Sequence, residues 1–448
     1  MKPFHAMPGP KGHLIFGHIG EMRRDMLGFF TRIGREFPEL ARSRFLHLDA
    51  VSVHTPELIE QVLVREHART CKSRDFEELR HALGEGLVTS EGELWKRQRK
   101  LIQPAFRSER IRAYGAVMSA RTERRMARWS NGAVVDIHAE LSRITLEIVS
   151  EALFGIEVDE IADVLAASLD AVMLHVERLL TSWVPLPLRV PTPNNLELRR
   201  RLRRLDEAVY ALIERRRAHP EADRDDLLGR MLAATDELGG MSDRQLRDEL
   251  VTLLLAGHET TAIALTFAVF LLAQHPAEFS RLAEEVDTLV GVPTSADVDH
   301  LPYTHHVVDE AMRLYPPVWA HGREVTEPFE LGGYELPKGT QLFMSSWVTH
   351  RDPRYFDDPL AFRPDRWTTP SWPTLAYSPF GAGPRKCIGV HFARMEAALV
   401  LATLVRRYAF ELVDDPLTLQ LMPSITLRPR GGLRVRLRAR EHTLSRAA

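Results

Sequence analysis

The chain has 448 residues, 44% of them hydrophobic, and 59 basic against 61 acidic side chains give a net charge of -2. That balance offers no electrostatic case for nucleic-acid binding, and two cysteines, Cys71 and Cys387, exclude a disulfide framework and point to an intracellular protein. The N-terminus has no signal-peptide core, and the long apolar run 250–273 carries His258, Glu259 and two threonines at its middle, groups that are costly in lipid, so it reads as a buried helix rather than a membrane span.

In chain order, Pro8-Gly9-Pro10 opens an irregular arm. Helices are predicted over 25–36 and, from a first-turn proline, over 56–65, with a small hairpin in 41–54 between them. Gly84 and Gly86 mark a loop. The segment 94–106 is helical, and Trp95 and Arg99, four residues apart, share one face. An indole N–H and a guanidinium so placed can both donate to a carboxylate, although an arginine packed on a tryptophan has the same spacing. Helices follow over 113–129, 137–154 and 160–180. Pro185, Pro187, Pro191 and Pro193 interrupt the chain beside Trp183-Val184, and the arginines of the next helix, 196–217, suit a solvated face. A short helix spans 225–235.

Ser242 with Gln245 three residues on is a capping box, and it opens the longest helix, which His275-Pro276 stops. At about 1.5 Å per residue this helix is roughly 50 Å long. Its centre reads Ala256-Gly257-His258-Glu259-Thr260-Thr261. Gly257 and the threonines are poor helix formers, so a local widening is predicted, and a carboxylate beside a hydroxyl is a candidate proton relay. A kink without chemistry is the plainer alternative. A zinc site of the HExxH type is another, but the second histidine position is Ala262.

Helices 277–289 and 304–315 follow, the second holding Glu310 and Arg313 at i, i+3. Exposed, such a pair would contribute only a few tenths of a kcal/mol. Val318 to His321 is extended, Arg323 precedes a strand, 329–336 is a hairpin about Gly332-Gly333, and 340–344 is a strand. Arg366 lies in Phe362-Arg363-Pro364-Asp365-Arg366-Trp367, and 425–428 with 433–437 are predicted to pair as a hairpin about Gly431-Gly432. Between them, Phe380-Gly381-Ala382-Gly383-Pro384-Arg385-Lys386-Cys387-Ile388-Gly389 concentrates three glycines, a proline and a cysteine before a helix over 390–407. Gly383 and Gly389 suit tight turns or close approach to a flat object. Backbone N–H groups and the helix start would stabilise a Cys387 thiolate, a soft metal ligand; a buried, inert cysteine is the alternative.

This ten-residue loop resembles the haem-binding loop of the cytochrome P-450 superfamily, and five motifs along almost the whole chain occur in that family's order. The resemblance implies a mainly α fold with small β-sheets, a single catalytic domain over 1–448, and haem b enclosed between the long helix and the cysteine loop. It implies Cys387 as the iron ligand and Phe380, Gly381, Arg385, Gly389 and Ala256 around the cofactor, with Trp95, Arg99 and Arg323 at its propionates. Thr260 would support a water near bound oxygen and Glu259 would help deliver protons. Glu310, Arg313 and Arg366 would form a structural network, from whose usual pattern Asp365 and Trp367 depart. The loop with Gly84 and Gly86 would lie over the substrate, the helix–linker–helix unit would roof it, and Leu83, Val88, Leu253, Ala256, Val318, Trp319 and Ile425 would line its cavity.

The implied function is a haem–thiolate monooxygenase inserting one atom of O₂ into an apolar molecule such as a terpenoid, fatty acid or macrocycle. A peroxide-driven or non-oxygenating relative, or a non-catalytic haem protein, is the alternative; the intact Glu259-Thr260 pair favours O₂ activation. No flavin or iron–sulfur segment is visible, so electrons are expected from a separate ferredoxin or flavodoxin docking on Lys96, Arg97, Lys100, Arg107 and Lys386. A cytoplasmic monomer is expected.

Overall fold

The computed structural model describes residues 1–46, 48–155, 162–181, 186, 188–218, 226–236 and 239–440. Helices α1 (Ile19–Arg24) and α2 (Met26–Glu36) lead into the expected hairpin of β1 (Leu40–Phe45) and β2 (Leu48–Val53). Asp25 caps α2 by accepting from the Gly28 N–H at 2.9 Å. Helix α3 (Pro56–Glu60) starts on its proline and ends in a π-turn over Gln61–Arg65. Then come β3 (Thr70–Lys72), α4 (Asp75–Leu83), α5 (Gly92–Ile102), α6 (Ser108–Met126), β4 (Val134–Asp136), α7 (Ile137–Phe154), α8 (Ala162–Thr181), α9 (Pro193–Ala218) and α10 (Leu227–Ala233). The linker residues Trp183, Val184, Pro185 and Pro187 lie outside the described residues.

After a short pair, β5 (Thr235–Asp236) and β6 (Gly239–Gly240), the chain enters α11 (Asp243–Gln274), a helix of 32 residues. Both halves of its capping box form: the Gln245 N–H donates to Ser242 Oγ and the Ser242 N–H to Gln245 Oε1. The expected widening is not there, and the helix stays α throughout. The Thr260 and Thr261 hydroxyls donate back to the Ala256 and Gly257 carbonyls at 2.9 and 3.3 Å, which α-geometry accommodates. Gly257 serves packing instead. A Cβ there would sit 2.8 Å from Val149 Cγ2 of α7. Helices α7, α9, α13 and α15 surround α11, which explains an apolar run of membrane length in the middle of a core.

The remaining elements are α12 (Pro276–Asp287), α13 (Pro302–Leu314), β7 (His321–Val325), β8 (Phe329–Leu331), β9 (Tyr334–Leu336), β10 (Gln341–Met344), α14 (Ser346–Thr349), α15 (Val390–Arg407), β11 (Tyr408–Leu412), β12 (Leu421–Pro423), β13 (Leu427–Pro429) and β14 (Arg434–Ala439). One sheet runs β1-β2-β10-β7-β3, with β2 and β10 parallel and the other neighbours antiparallel. The fold is mainly helical with small sheets, as expected.

The predicted C-terminal hairpin is not one. Strand β13 pairs backwards with β12, whereas β14 pairs with β11 and β4 in a different sheet. Gly431 and Gly432, at φ 80 and 84, carry the chain from one sheet to the other. Gly432 packs on the Asp136 carboxylate, which also accepts from the Leu433 N–H at 3.1 Å. Adjacent strands about a Gly-Gly turn look like a hairpin locally; the partners that won are remote in sequence. The main hydrophobic cluster surrounds α11. A smaller one lies on the five-stranded sheet, and a third joins α2 to Trp319.

Candidate active site

The cysteine loop is shaped by its glycines. Gly381 and Gly383 have φ 68 and 65, and a Cβ on Gly383 would overlap the Leu63 carbonyl oxygen. The Cys387 N–H donates to the Phe380 carbonyl at 2.9 Å, closing the turn one residue pair before α15 begins. Cys387 is exposed as a residue, yet surrounding protein desolvates its thiol. Burial pushes its thiol up, while the Gly389 N–H, Arg99 and Lys386 pull the other way. A metal cation at the sulfur would settle that contest in favour of the thiolate.

Two guanidiniums in this region, Arg323 and Arg99, lack a directly paired carboxylate among the described residues. Arg323 sits in β7 between β10 and β3 and is 8% exposed. Among the described residues neither it nor Arg99, from α5, makes a hydrogen bond or salt bridge, and burial lowers the pKa of both. The His321 Nε2, two residues before Arg323 and beside Gly381, is buried without a partner, and burial holds its pKa down to about 4. A soft sulfur ligand with two buried or half-buried guanidiniums that make no hydrogen bond or ion pair among the described residues fits haem b, an iron cofactor with two carboxylates. Trp95 is buried in the same place, with the Arg385 guanidinium 4.0 Å above its ring. Arg385 itself is already committed: it donates to the Ser90 carbonyl at 2.9 Å and pairs with Glu91, bracing the cysteine loop against the start of α5.

In the middle of the otherwise buried α11, Ala256 is exposed and Thr260 partly so. Glu259 does not join them. It is 3% exposed and turned to the C-terminal segment, where its two oxygens accept from Arg428 (Nη2 at 2.6 Å, and Nε) and from Thr426 Oγ1 at 3.1 Å. Burial alone would raise its pKa, but Arg428 and His258 outweigh it and hold the carboxyl below its ordinary range. The acid and the alcohol that adjoin in sequence therefore face different surroundings.

Of the expected cavity residues, Val88, Val318 and Ile425 keep open surface along with Ala256, whereas Leu83 and Leu253 are buried. Trp319 belongs elsewhere. Its ring packs 5.8 Å from Phe30 of α2, and its indole N–H donates to the Ser424 carbonyl at 2.8 Å, so it anchors the turn that carries Ile425 rather than lining a cavity.

The structural network is complete. Glu310 accepts from Arg313 Nε and Nη2 and from Arg366 Nε, all at 2.8 Å, and from the Trp367 indole and the Arg363 N–H at 3.0 Å. Arg313 spends its remaining donors on the His350, Pro359 and Ala361 carbonyls. Trp367, read as a departure from the pattern, is a member of the network, and Asp365 pairs with Arg281 at 2.7 Å.

Sequence reasoning missed Arg428 and His321. It also missed two buried acids, Glu249 and Glu396. Glu249 accepts from the Leu87 N–H at 3.0 Å, beside Asp248, which accepts from the Glu85 N–H; together they hold the Gly84–Gly86 loop to α11. Burial raises Glu249 to about 8 and raises Glu396, in α15, well above the carboxylate range. The only local signal was an acid on a helix face that periodicity assigns to the core.

A model of the cytochrome P-450 family matches residues 7–434. The chain is 37% identical to cyclooctatin synthase of Streptomyces melanosporofaciens, over 94% of this chain and 91% of that protein. It is 34% identical to pentalenene oxygenase of Streptomyces avermitilis, over 98% of each, and 33% identical to cyclooctat-9-en-7-ol 5-monooxygenase of Streptomyces melanosporofaciens, over 91% and 90%.

Proposed function

The chain belongs to the cytochrome P-450 family and is a haem–thiolate monooxygenase with haem b as its cofactor; from that premise we propose that its substrate is a cyclic terpenoid. The observation that carries the reading is the apolar, uncharged set left open at the interior, Val88, Ala256, Val318 and Ile425, in a chain whose relatives are cyclooctatin synthase and pentalenene oxygenase. Such walls bind by excluded water and shape rather than by pairing polar groups.

Bound haem supplies the binding and activation of O₂. Cys387 would ligate the iron, and Arg99 and Arg323, with Trp95 and His321 beside them, would hold the propionates. The half-exposed Thr260 hydroxyl donates to the Ala256 carbonyl and would accept from a water that it helps to orient. Glu259, ionised at neutral pH, would collect protons and pass them on. For electrons we propose an acidic ferredoxin or flavodoxin on the exposed Lys96, Lys100, Arg107 and Lys386. Arg97 contributes less to that face, because it donates to the Gly239 carbonyl at 2.8 Å.

Titration of the ferric holo-protein with cyclic terpenes, fatty acids and macrolactones, followed by the haem visible spectrum, tests the substrate class. Terpenes should bind at least tenfold more tightly; a fatty acid preference of that size would replace the reading. Cys387→Ser should abolish oxygenation in the same preparations.

A further inference from the structure

Arg428 has three donor nitrogens facing two carboxylates on different elements. Nε and Nη2 go to Glu259 of α11, and Nη1 goes to Asp170 of α8 at 3.3 Å. Arg428 is 9% exposed, whereas the Asp170 side chain is 66% exposed. A second pair runs alongside: Arg430 donates to Glu177 at 2.8 Å. Arg428 lies in β13 and Arg430 in the turn just after it, while residues 170 and 177 lie two turns apart on one helix face. Thus α8 is fastened to the segment after β12 by two ion pairs, and one of them shares its guanidinium with the relay acid.

Two imidazoles also face Glu259. His258 Nε2 is 3.9 Å from Oε2, and His138, on α7, is held near Thr266 Oγ1 at 3.2 Å; burial lowers the pKa of both rings. Among the described residues Arg428 is therefore the permanent cation against Glu259. While its bidentate grip holds, the carboxylate is turned away from the face that carries Thr260. Charge-assisted bidentate pairs of this kind are the strong ones, so what else the guanidinium binds decides how readily the acid leaves.

We propose that Arg428 is a positioning residue for oxygen activation: by sharing one guanidinium between Glu259 and Asp170, it couples the seating of α8 to the freedom of the relay carboxylate. This rests on the reading of Glu259 as the proton carrier. With α8 seated, Asp170 draws on the same cation and loosens its hold on Glu259; with α8 lifted, Arg428 belongs to Glu259 alone and the relay is held off.

The test compares Arg428→Gln, Arg428→Lys, Asp170→Asn, Glu177→Gln and Glu259→Gln in the holo-protein. Two quantities are read: the share of reducing equivalents recovered as product across pH, and hydrogen exchange of α8 amides without turnover. Asp170→Asn and Glu177→Gln should both speed exchange in α8. Only Asp170→Asn should also move the acid limb of the coupling profile, by a few tenths of a pH unit to lower pH, because Glu259 loses a neighbouring anion. Arg428→Gln should move that limb the opposite way, and Arg428→Lys should restore most of the wild-type profile. If the profile stays put in Asp170→Asn and Arg428→Gln while Glu259→Gln uncouples the reaction, the shared-guanidinium proposal is overturned and the relay reading survives. Unchanged coupling in Glu259→Gln would remove both. Asp170 is on the surface, so its variant keeps the test decisive even if Arg428→Gln does not fold.

Discussion

Glu310 and Glu259 are both glutamates buried against arginines, and their surroundings differ in kind. Glu310 accepts five hydrogen bonds, and its partner Arg313, fully buried, has no donor left over for anything mobile. Glu259 accepts from an arginine that also reaches an exposed aspartate on another helix. The first arrangement has a single solution and ties α13 to the segment 350–367. The second has two ways to distribute one positive charge, so it responds to where α8 sits. The same pair of residue types makes a fixture in one place and a shared contact in the other, and the difference lies in how many donors are already satisfied.

The largest effect should come from breaking the fixture. Arg313→Ala leaves a buried carboxylate uncompensated and should cost about 3–5 kcal/mol in denaturant unfolding, with loss of bound haem. A cost below about 1 kcal/mol would show that the network is slack, as for exposed pairs.

Glu249 sharpens the comparison, because it is a buried glutamate with no arginine partner among the described residues. Its folded pKa of about 8 lies above the unfolded value near 4.5, so its contribution is fully present below the unfolded pKa and is lost as pH rises through 8. Glu249→Gln should therefore raise the melting temperature at pH 8.5 by several degrees and change it little at pH 5. An equal gain at both pH values would refute the assignment.

The glycines of the cysteine loop give the next step down. Gly383→Ala, which places a methyl onto the Leu63 carbonyl at positive φ, should reduce haem retention markedly; Gly389→Ala, whose Cβ meets Phe106 at 3.6 Å and the sulfur at 4.0 Å, should be milder. Equal haem content in the two variants would break that ranking.

The smallest effect lies on the surface. Lys100→Glu and Lys386→Glu should slow reduction by an acidic partner severalfold at low salt, and the gap should close as salt rises. Rates that ignore both charge and salt would remove the docking face.

Local signals carried much of this. Helices α7 and α15 have the bounds that periodicity predicts, and the capping box of α11 formed as read. Ser242 and Gln245 interact with each other, so three residues of sequence suffice to see them. Arg428 meets Glu259 across 169 positions, and nothing near either residue announces the other. Trp367 looked like a deviation because a pattern describes which residue is usual, not which atom reaches Glu310. Trp319 was placed along the cavity by its extended segment and apolar character, but an indole N–H needs an acceptor, and the Ser424 carbonyl supplied it. The pairing of β14 was hidden for the reason that long-range sheet partners usually are: alternation tells which face is buried and leaves the neighbour open.

Gly257 remains, a residue whose hydrogen side chain rests on Val149. Because α7 meets α11 there without room for a methyl group, the position of the Ala256–Thr260 stretch is set from behind, and a haem held by Cys387 and facing that stretch would feel it. Any bulkier residue at that position would push α11 off α7 and shift Ala256 and Thr260 with it, without itself touching a bound molecule. The placement of that stretch is, in that sense, written on the outer face of the helix.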